Sequence, residues 1–428
     1  MISRVLAADL PRHVGARVRI AGWTHRVRKL GAVAFLVVRD RSGLAQVVLR
    51  VPVDLPAETV VEVHGLVTAN AKAPGGAELT EPEIAVLGEP TTPPPFDLHR
   101  PHVTATLPTI LDHAAVALRH PRLRAPFEIA AAGVAGFRAA LDDLGFTEIH
   151  TPKIVGTATE SGATVFGVDY FGTTAFLAQS PQVFKQAMVG VFERVYEVGP
   201  VFRAEPHDTA RHLAQYTSLD AELGFIRDHR DVMAVLRHTI AGMVATVADR
   251  ATTAVDLLDA RLPHVPEDIP TIHFTDAQDL LARHTADDPR GEPDLAPAHE
   301  RWLSGWARDT HDSDFLFVTG YPMAKRPFYT HPDPERPAYS NSFDLLFRGL
   351  ELVTGGQRLH RHADYLAALA ARGEDPSAHR DHLDVFTAGM PPHGGFAIGL
   401  ERFTARLLGA DNIRRTALFP RDLHRLHP

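Results

Sequence analysis

A polar connection between two β-type runs holds the first residues able to do chemistry. The runs cover 196–203 and 217–225, and at their junction lie Arg203, Glu205, His207, Asp208, Arg211 and His212. Charges that end strands need partners when they are buried. Arginine suits phosphate oxygens, because its planar fork donates bidentate hydrogen bonds. Taken alone, the stretch marks an anion site; a solvated loop with surface ion pairs is the plainer alternative.

A second concentration of charge is basic. Between 11 and 50, Arg12, Arg17, Arg19, Arg26, Arg28, Lys29, Arg39, Arg41 and Arg50 stand with one acidic residue, Asp40. The whole 428-residue chain has a formal net charge of −8, so the basic segment is a local footprint rather than a general nucleic-acid coat. The 25 histidines invite a metal reading, yet no HExxH or comparable spacing occurs, and His360 and His362 read as surface or site-orienting residues. The absence of cysteine excludes disulfides, thiolate metal sites and cysteine nucleophiles. With 45% hydrophobic and 22% charged residues, no secretion-signal pattern and no uninterrupted apolar stretch long enough for a bilayer, the expectation is a cytoplasmic globular protein with no membrane partner.

Ordered elements must position these groups. Short valine-rich runs at 16–24, 32–39, 45–50 and 59–67 are separated by turn signals, and closing them into an OB-type β-barrel removes their edges. Phe35 near Gln46, among arginines, suits single-stranded nucleic acid, where bases stack on rings; a purely structural barrel with Phe35 in its core is the alternative. AKAPGGAEL (71–79) reads as a glycine turn and TTPPPFDL (91–98) as a semi-rigid linker. The expected division is a barrel domain over 1–100, a hinge over 101–121 and a second domain over 122–428.

In that second domain, helical spacing covers 122–144, and GFTEIHTPKIV reads as a strand ending at Pro152. A hairpin is expected at 167–178, a helix starting at Ser180-Pro181, and an amphipathic helix over 228–250. The acidic, proline-punctuated stretch 255–315 reads as an insertion packed outside the core. Strand patterns return at 315–319 and 339–348, and GGFAIGLERF runs from strand into helix. Neither GxGxxG nor GxxxxGK[ST] occurs, so dinucleotide and P-loop folds lose support. The fold class is α+β: an OB-type barrel followed by a mainly antiparallel sheet flanked by helices.

Three separated segments resemble the signature set of class II aminoacyl-tRNA synthetases. Residues 122–152, ending GFTEIHTP, resemble the first motif, a helix and strand that form the dimer interface in that family. VFRAE (201–205) with TSLDAELGF resembles the second, and GGFAIGLERF (394–403) the third. The tail FPRDLHRL fits the aspartyl branch, and the resemblance extends over essentially the whole chain, including an anticodon-binding OB domain.

The resemblance implies ATP-dependent amino-acid activation. Arg203 and Arg402 would be the catalytic pair, Arg203 on the α-phosphate and Arg402 on the terminal phosphates. Glu205 would accept from the adenine amino group, Tyr216 would stack on the base, and Arg211, His212 and Glu351 would complete the ATP site. Asp344, Glu351 and Thr354 would hold Mg2+, a hard ion that prefers oxygen. Catalysis would rest on positioning and electrostatics. Lys185 and Arg358 would grip an aspartate side-chain carboxylate with Gln182 nearby, while Glu160 would meet the ammonium and Asp220 would assist. A Lys–Arg pair facing a neutral amide would leave charge uncompensated, so aspartate is favoured over asparagine.

SNSFDLLFRGLELVTGGQRLHR (340–361) resembles the archaeal-type aspartyl enzymes, some of which charge both tRNA-Asp and tRNA-Asn and pass the misacylated product to a separate amidotransferase. His25 in the barrel and Pro74 in the following turn match positions associated with that relaxed reading, beside Arg26, Arg28, Phe35 and Gln46 as anticodon contacts. The implied assembly is a homodimer. Alternatives are a strictly discriminating enzyme, a paralogue activating aspartate for another pathway, or a catalytically silent RNA-binding protein. Ala214 and Gln215 depart from the RHLNE of many relatives. Ser161 stands where glycine is frequent, and Lys29 where aspartate often follows the arginine.

Overall fold

The computed structural model describes residues 3–31, 33–156, 164–206 and 208–427. The chain forms two compact units, Met1–Pro121 and Arg122–Pro428.

In the first unit, alternation along Arg17–Leu30, Val33–Arg39, Leu44–Leu49 and Val60–Ala69 turns Val18, Ile20, Leu36, Val38, Val47, Val61 and Val63 inward. A fifth strand, Ala77–Gly88, closes the barrel between Leu44–Leu49 and Val60–Ala69. Sequence reading missed it because Pro82 and three glutamates interrupt its pattern. The strand accommodates Pro82 at an irregularity in register, where Glu81 adopts φ 50. Phe35 is not in the core. It pairs with Arg28 on one side and Val48 on the other, and Arg26, Val37 and Gln46 form the neighbouring row.

The second unit is built on an eight-stranded sheet. In spatial order its strands are Thr271–His273, Phe315–Thr319, Ser342–Phe347, Leu350–Gln357, His393–Gly399, Gln215–Gly224, Arg194–Phe202 and Thr147–Glu148. All neighbours are antiparallel except the two outermost pairs. The helices Pro121–Asp143 and His229–Arg250 bury Phe137, Leu141, Leu236, Ile240 and Met243 against Leu219, Ala221, Phe396 and Ile398. The two helices approach closely at Gly136, where a Cβ would lie 2.7 Å from the Gly242 carbonyl oxygen. By length and mean hydropathy alone His229–Arg250 would also suit a membrane, although Arg237 interrupts its apolar run. Its apolar face, however, belongs to this core.

Two further expectations change. The strand ending at Pro152 reduces to Thr147–Glu148; the chain then leaves the main sheet, and Ile154–Val155 pairs with Thr173–Leu177 in a small three-stranded sheet. The segment 255–315 is not outside the core. Thr271–His273 extends the main sheet, while Phe274–His284 and Pro297–His311 pack Phe274, Leu281, Leu303 and Ala307 against Leu316, Val318 and Leu346. Prolines and acidic residues at its turns hide two amphipathic helices.

Candidate active site

The central hairpin pairs Val201 with Tyr216 and Phe202 with Gln215. The amide of Arg203 then donates to the carbonyl of Ala214 at 2.9 Å, and the amide of Ala214 donates to the carbonyl of Arg421 at 2.7 Å. Ala214 therefore acts through its backbone, holding both the loop and the C-terminal tail, while the side chain of Gln215 is exposed. Across the sheet Gly399 opens the helix Leu400–Leu408. Glu401 on that helix is buried and accepts the Thr217 amide at 3.1 and 3.0 Å, so it is a strut beneath the hairpin rather than a surface partner for Arg402. Arg402 donates to the carbonyl of Glu351 at 2.9 Å.

These supports bring eight predicted residues into one cleft: Arg203, Glu205, Arg211, His212, Tyr216, Glu351, Thr354 and Arg402. The Arg203 guanidinium lies 5.6 Å from the centre of the Tyr216 ring and 3.9 Å from the Glu205 carboxylate. A cleft with cations at both ends and an aromatic ring suits a phosphorylated, planar ligand.

Next to it lies a buried charge cluster. Lys185, on the helix Gln182–Phe192, donates to Asp220 at 3.0 Å and lies 3.3 Å from Glu222. Arg358 donates to Glu222 at 3.1 Å and to the carbonyl of Gly395 at 3.1 Å. Burial opposes the charged form of Glu222, but Arg358 and Lys185 outweigh it and hold the carboxyl below its ordinary range. Sequence reasoning missed Glu222, although it lies two residues after Asp220 and so on the same face of the strand. It fits only because position 395 is glycine: a Cβ there would lie 2.1 Å from both the Ala221 carbonyl oxygen and a Glu222 carboxylate oxygen. Gln182 is buried, with its amide nitrogen unpartnered among the described residues. Glu160, expected at the substrate ammonium, lies outside the described residues, as do Ser161 and His207.

A neutral network backs this cluster. Gln186, beside Lys185 on the same helix, donates to the Tyr365 hydroxyl at 3.0 Å and to His393 Nε2 at 2.9 Å, and accepts from His382 Nε2 at 3.0 Å. His393 Nδ1 donates to the carbonyl of Pro391 at 2.9 Å, which fixes the tautomer and leaves Nε2 as acceptor. The amide of Arg358 donates to the carbonyl of His393 at 2.8 Å, so the network reaches both cations of the pocket. Burial, aided by His379 and His393, pushes His382 down to about 4. Its stabilisation is therefore complete above the ordinary value of 6.5 and is lost as pH falls towards 4. Gln186→Leu removes three hydrogen bonds at once. Urea denaturation should show a loss of several kcal/mol, at roughly 1–3 kcal/mol for each buried group left unpaired. Unchanged stability would mean the network is not closed.

The proposed metal residues are only partly assembled. Asp344 and Thr354 face each other across neighbouring strands, but Asp344 accepts from Arg326 at 2.9 Å. Burial raises its pKa despite that cation, and Glu351 adds to the rise. Thr354 donates to Glu351 at 3.1 Å. Sequence reasoning missed Glu300, which comes from the segment read as peripheral and accepts the Glu351 amide at 3.2 Å. Burial, then repulsion by Glu351, pushes Glu300 up to about 7. Among the described residues, no group of three or more His, Asp and Glu forms a ready cage. Glu351 and Thr354 supply hard oxygen donors, and the repulsion around Glu351 favours a cation, so this set fits a weakly held Mg2+ that keeps ligand oxygens of its own.

In the barrel unit Arg28 donates to Gln46 at 3.0 Å, and Gln46 donates to Glu78 at 2.8 Å. Arg26 is exposed. His25 sits where the strand register slips, and burial, then Arg39 and His99, hold it down to about 4. Pro74 opens the tight turn Pro74–Gly76, in which Gly75 has φ 67 and Gly76 φ 85.

A family model described as tRNA synthetases class II (D, K and N) matches residues 107–423, and one described as OB-fold nucleic acid binding domain matches 18–87. The chain is 49% identical to Aspartate–tRNA(Asp/Asn) ligase of Thermus thermophilus over 99% of its own length and 100% of the relative's. It is 45% identical to the Aspartate–tRNA(Asp/Asn) ligase of Deinococcus radiodurans, over 100% and 99% of the two chains. Aspartate–tRNA(Asp) ligase of Thermococcus kodakarensis is 37% identical, with 97% of each chain covered. Among solved structures, asparaginyl-tRNA synthetase from Pyrococcus horikoshii complexed with asparaginyl-adenylate is similar, with a TM-score of 0.92 and 30% identity over 100% of both chains. One fold thus accompanies two amino-acid substrates, and substrate choice must be argued from side chains.

Proposed function

Because the chain belongs to the class II tRNA synthetases of the D, K and N group, we propose that it activates L-aspartate with ATP and transfers it to both tRNA-Asp and tRNA-Asn. The carrying observation is that the two sites meet on one strand. Ser218 lines the arginine cleft, and its hydroxyl donates to Asp220 of the Lys185 cluster at 2.5 Å. An amino acid held at Lys185 and Arg358 therefore lies beside a nucleotide held at Arg203 and Arg402.

The cluster pairs two cations with two carboxylates before any substrate arrives, which changes the charge argument for aspartate. Its value lies in complementarity to a zwitterion with an extra carboxylate. The incoming ammonium is met by carboxylate, and Lys185 and Arg358 then turn to the substrate side chain. In the reaction a substrate carboxylate oxygen bonds to the α-phosphorus, and the bond from that phosphorus to the bridging oxygen breaks, its electron pair leaving with pyrophosphate. Arg203 offsets charge at the α-phosphate, Tyr216 stacks on the base, and Arg402 holds the departing end. Mg2+ at Glu351 and Thr354 would neutralise phosphate charge.

The outward row Arg28–Phe35–Val48 and the adjacent, exposed Arg26 offer a stacking and phosphate-tracking face for an anticodon, with the buried Gln46 holding Arg28 in place. His25, Pro74 and the Asp/Asn names of the relatives at 49% and 45% identity support the relaxed reading, against the Asp-only name of the relative at 37%. We further place the enzyme in the cytoplasm as a homodimer through the 121–143 helix, delivering aspartyl-tRNA-Asn to an amidotransferase. Charging purified tRNA-Asp and tRNA-Asn side by side with labelled aspartate should aminoacylate both. Charging of tRNA-Asp alone would leave an aspartyl enzyme that discriminates.

A further inference from the structure

A second cavity, of about 260 Å3, opens behind the nucleotide cleft and shares Arg211, Arg402 and Ile413 with it. Its other cations are Arg301 and Arg406. Arg406 lies one helical turn beyond Arg402 on Leu400–Leu408, so the two project from the same face. Arg301 comes from the helix Pro297–His311, directly after Glu300. Among the described residues lining the cavity, Asp411 is the only acid, and its carboxylate accepts from Arg415 at 2.8 Å.

The cavity is thus surrounded by guanidinium groups with little to offset them. Arg406 donates to the carbonyls of Arg348 and Ala410 at 3.3 and 3.2 Å, while its Nε is buried without a partner among the described residues. Burial, then Arg211 and Arg402, depress its hold on its proton, as expected where cations crowd without an anion. Guanidinium forks converging from different elements match the oxygens of a compact polyanion. The cavity adjoins the cleft at Arg402, the residue placed at the terminal phosphates.

We propose that Arg301 and Arg406 extend the nucleotide cleft into a second anion subsite, which takes the phosphoanhydride end of ATP and the pyrophosphate released from it. This rests on the ATP-dependent activation proposed above. Drawing pyrophosphate past Arg402 would clear the α-phosphorus for the acceptor end of tRNA. It would also make the reverse reaction depend on two arginines that the three motifs do not include.

The test compares the full-length enzyme with an Arg301→Ala/Arg406→Leu double variant. The KM for inorganic pyrophosphate in aspartate-dependent ATP–pyrophosphate exchange should rise roughly tenfold, as for loss of one charge-assisted contact. Binding of AMP, which lacks these phosphates, should stay unchanged by calorimetry. The KM for ATP should rise in parallel, and a rise for pyrophosphate alone would overturn the assignment to bound ATP. Arg406→Lys, which keeps the charge but not the fork over two carbonyls, should retain most of the pyrophosphate affinity. An unchanged KM for pyrophosphate, AMP weakened as much as pyrophosphate, or an Arg406→Lys variant as impaired as the double variant would each overturn the proposal. Absence of exchange in the unmodified enzyme would instead remove the activation reading on which it rests.

Discussion

Arg203→Ala should abolish aspartate-dependent exchange of pyrophosphate into ATP while the protein stays folded. The side chain is 41% exposed, and its backbone bond to Ala214 survives the substitution, so the hairpin keeps its register. What would disappear is the cation proposed for the α-phosphate, where negative charge concentrates as the new bond forms. Removing one preorganised donor of this kind costs roughly a hundred- to a thousandfold in rate. The neighbouring Glu205 would also lose its cation at 3.9 Å. Near-normal exchange by a variant whose thermal unfolding matches the parent would mean that the cleft is not the nucleotide site.

Lys185→Met has the second large effect, and a different signature. The KM for aspartate should rise roughly a hundredfold or more, given about 3–5 kcal/mol for breaking a buried ion pair, while the KM for ATP changes little. Lys185 is 2% exposed, and its loss leaves Arg358 as the cation on Glu222 and takes the ammonium from Asp220, so some stability is lost too. Assays well below the unfolding temperature separate the two effects. An equal rise for ATP and aspartate would mean that Lys185 supports the whole domain rather than reading the amino acid. Recovery of asparagine activation by the variant would show that the lysine charge sets the choice of side chain.

The contrast between these residues and their supports separates what is local in the chain from what is not. The VFRAE and GLERF segments are contiguous, so each carries its chemistry and its local fold in a few residues. Arg203, Tyr216 and Arg402, which the resemblance of those segments singles out, do line one cleft. The barrel is legible through alternation, except for Ala77–Gly88, where Pro82 sits at an irregularity and disrupts the period. Glu222 is within reach of the same period-two argument that exposes Asp220. Its role is not, because its partners Arg358 and Lys185 come from other elements. Glu300 and Arg406 are hidden for a related reason: each looks like an ordinary charge on an amphipathic helix until packing places that helix beside the cleft.

The sequence by itself thus determined the fold class through local periodicity, and the resemblance of its three motifs to the class II synthetases pointed to the cations proposed to face substrate. Only the tertiary structure decided how those cations are held. It paired Lys185 with Asp220 and Glu222, tied Gln186 to His382 and His393, set Arg326 against Asp344, and brought Glu300 to Glu351. Buried charges and polar groups are stable only with partners, and those partners are chosen by strand order and helix packing across the whole domain.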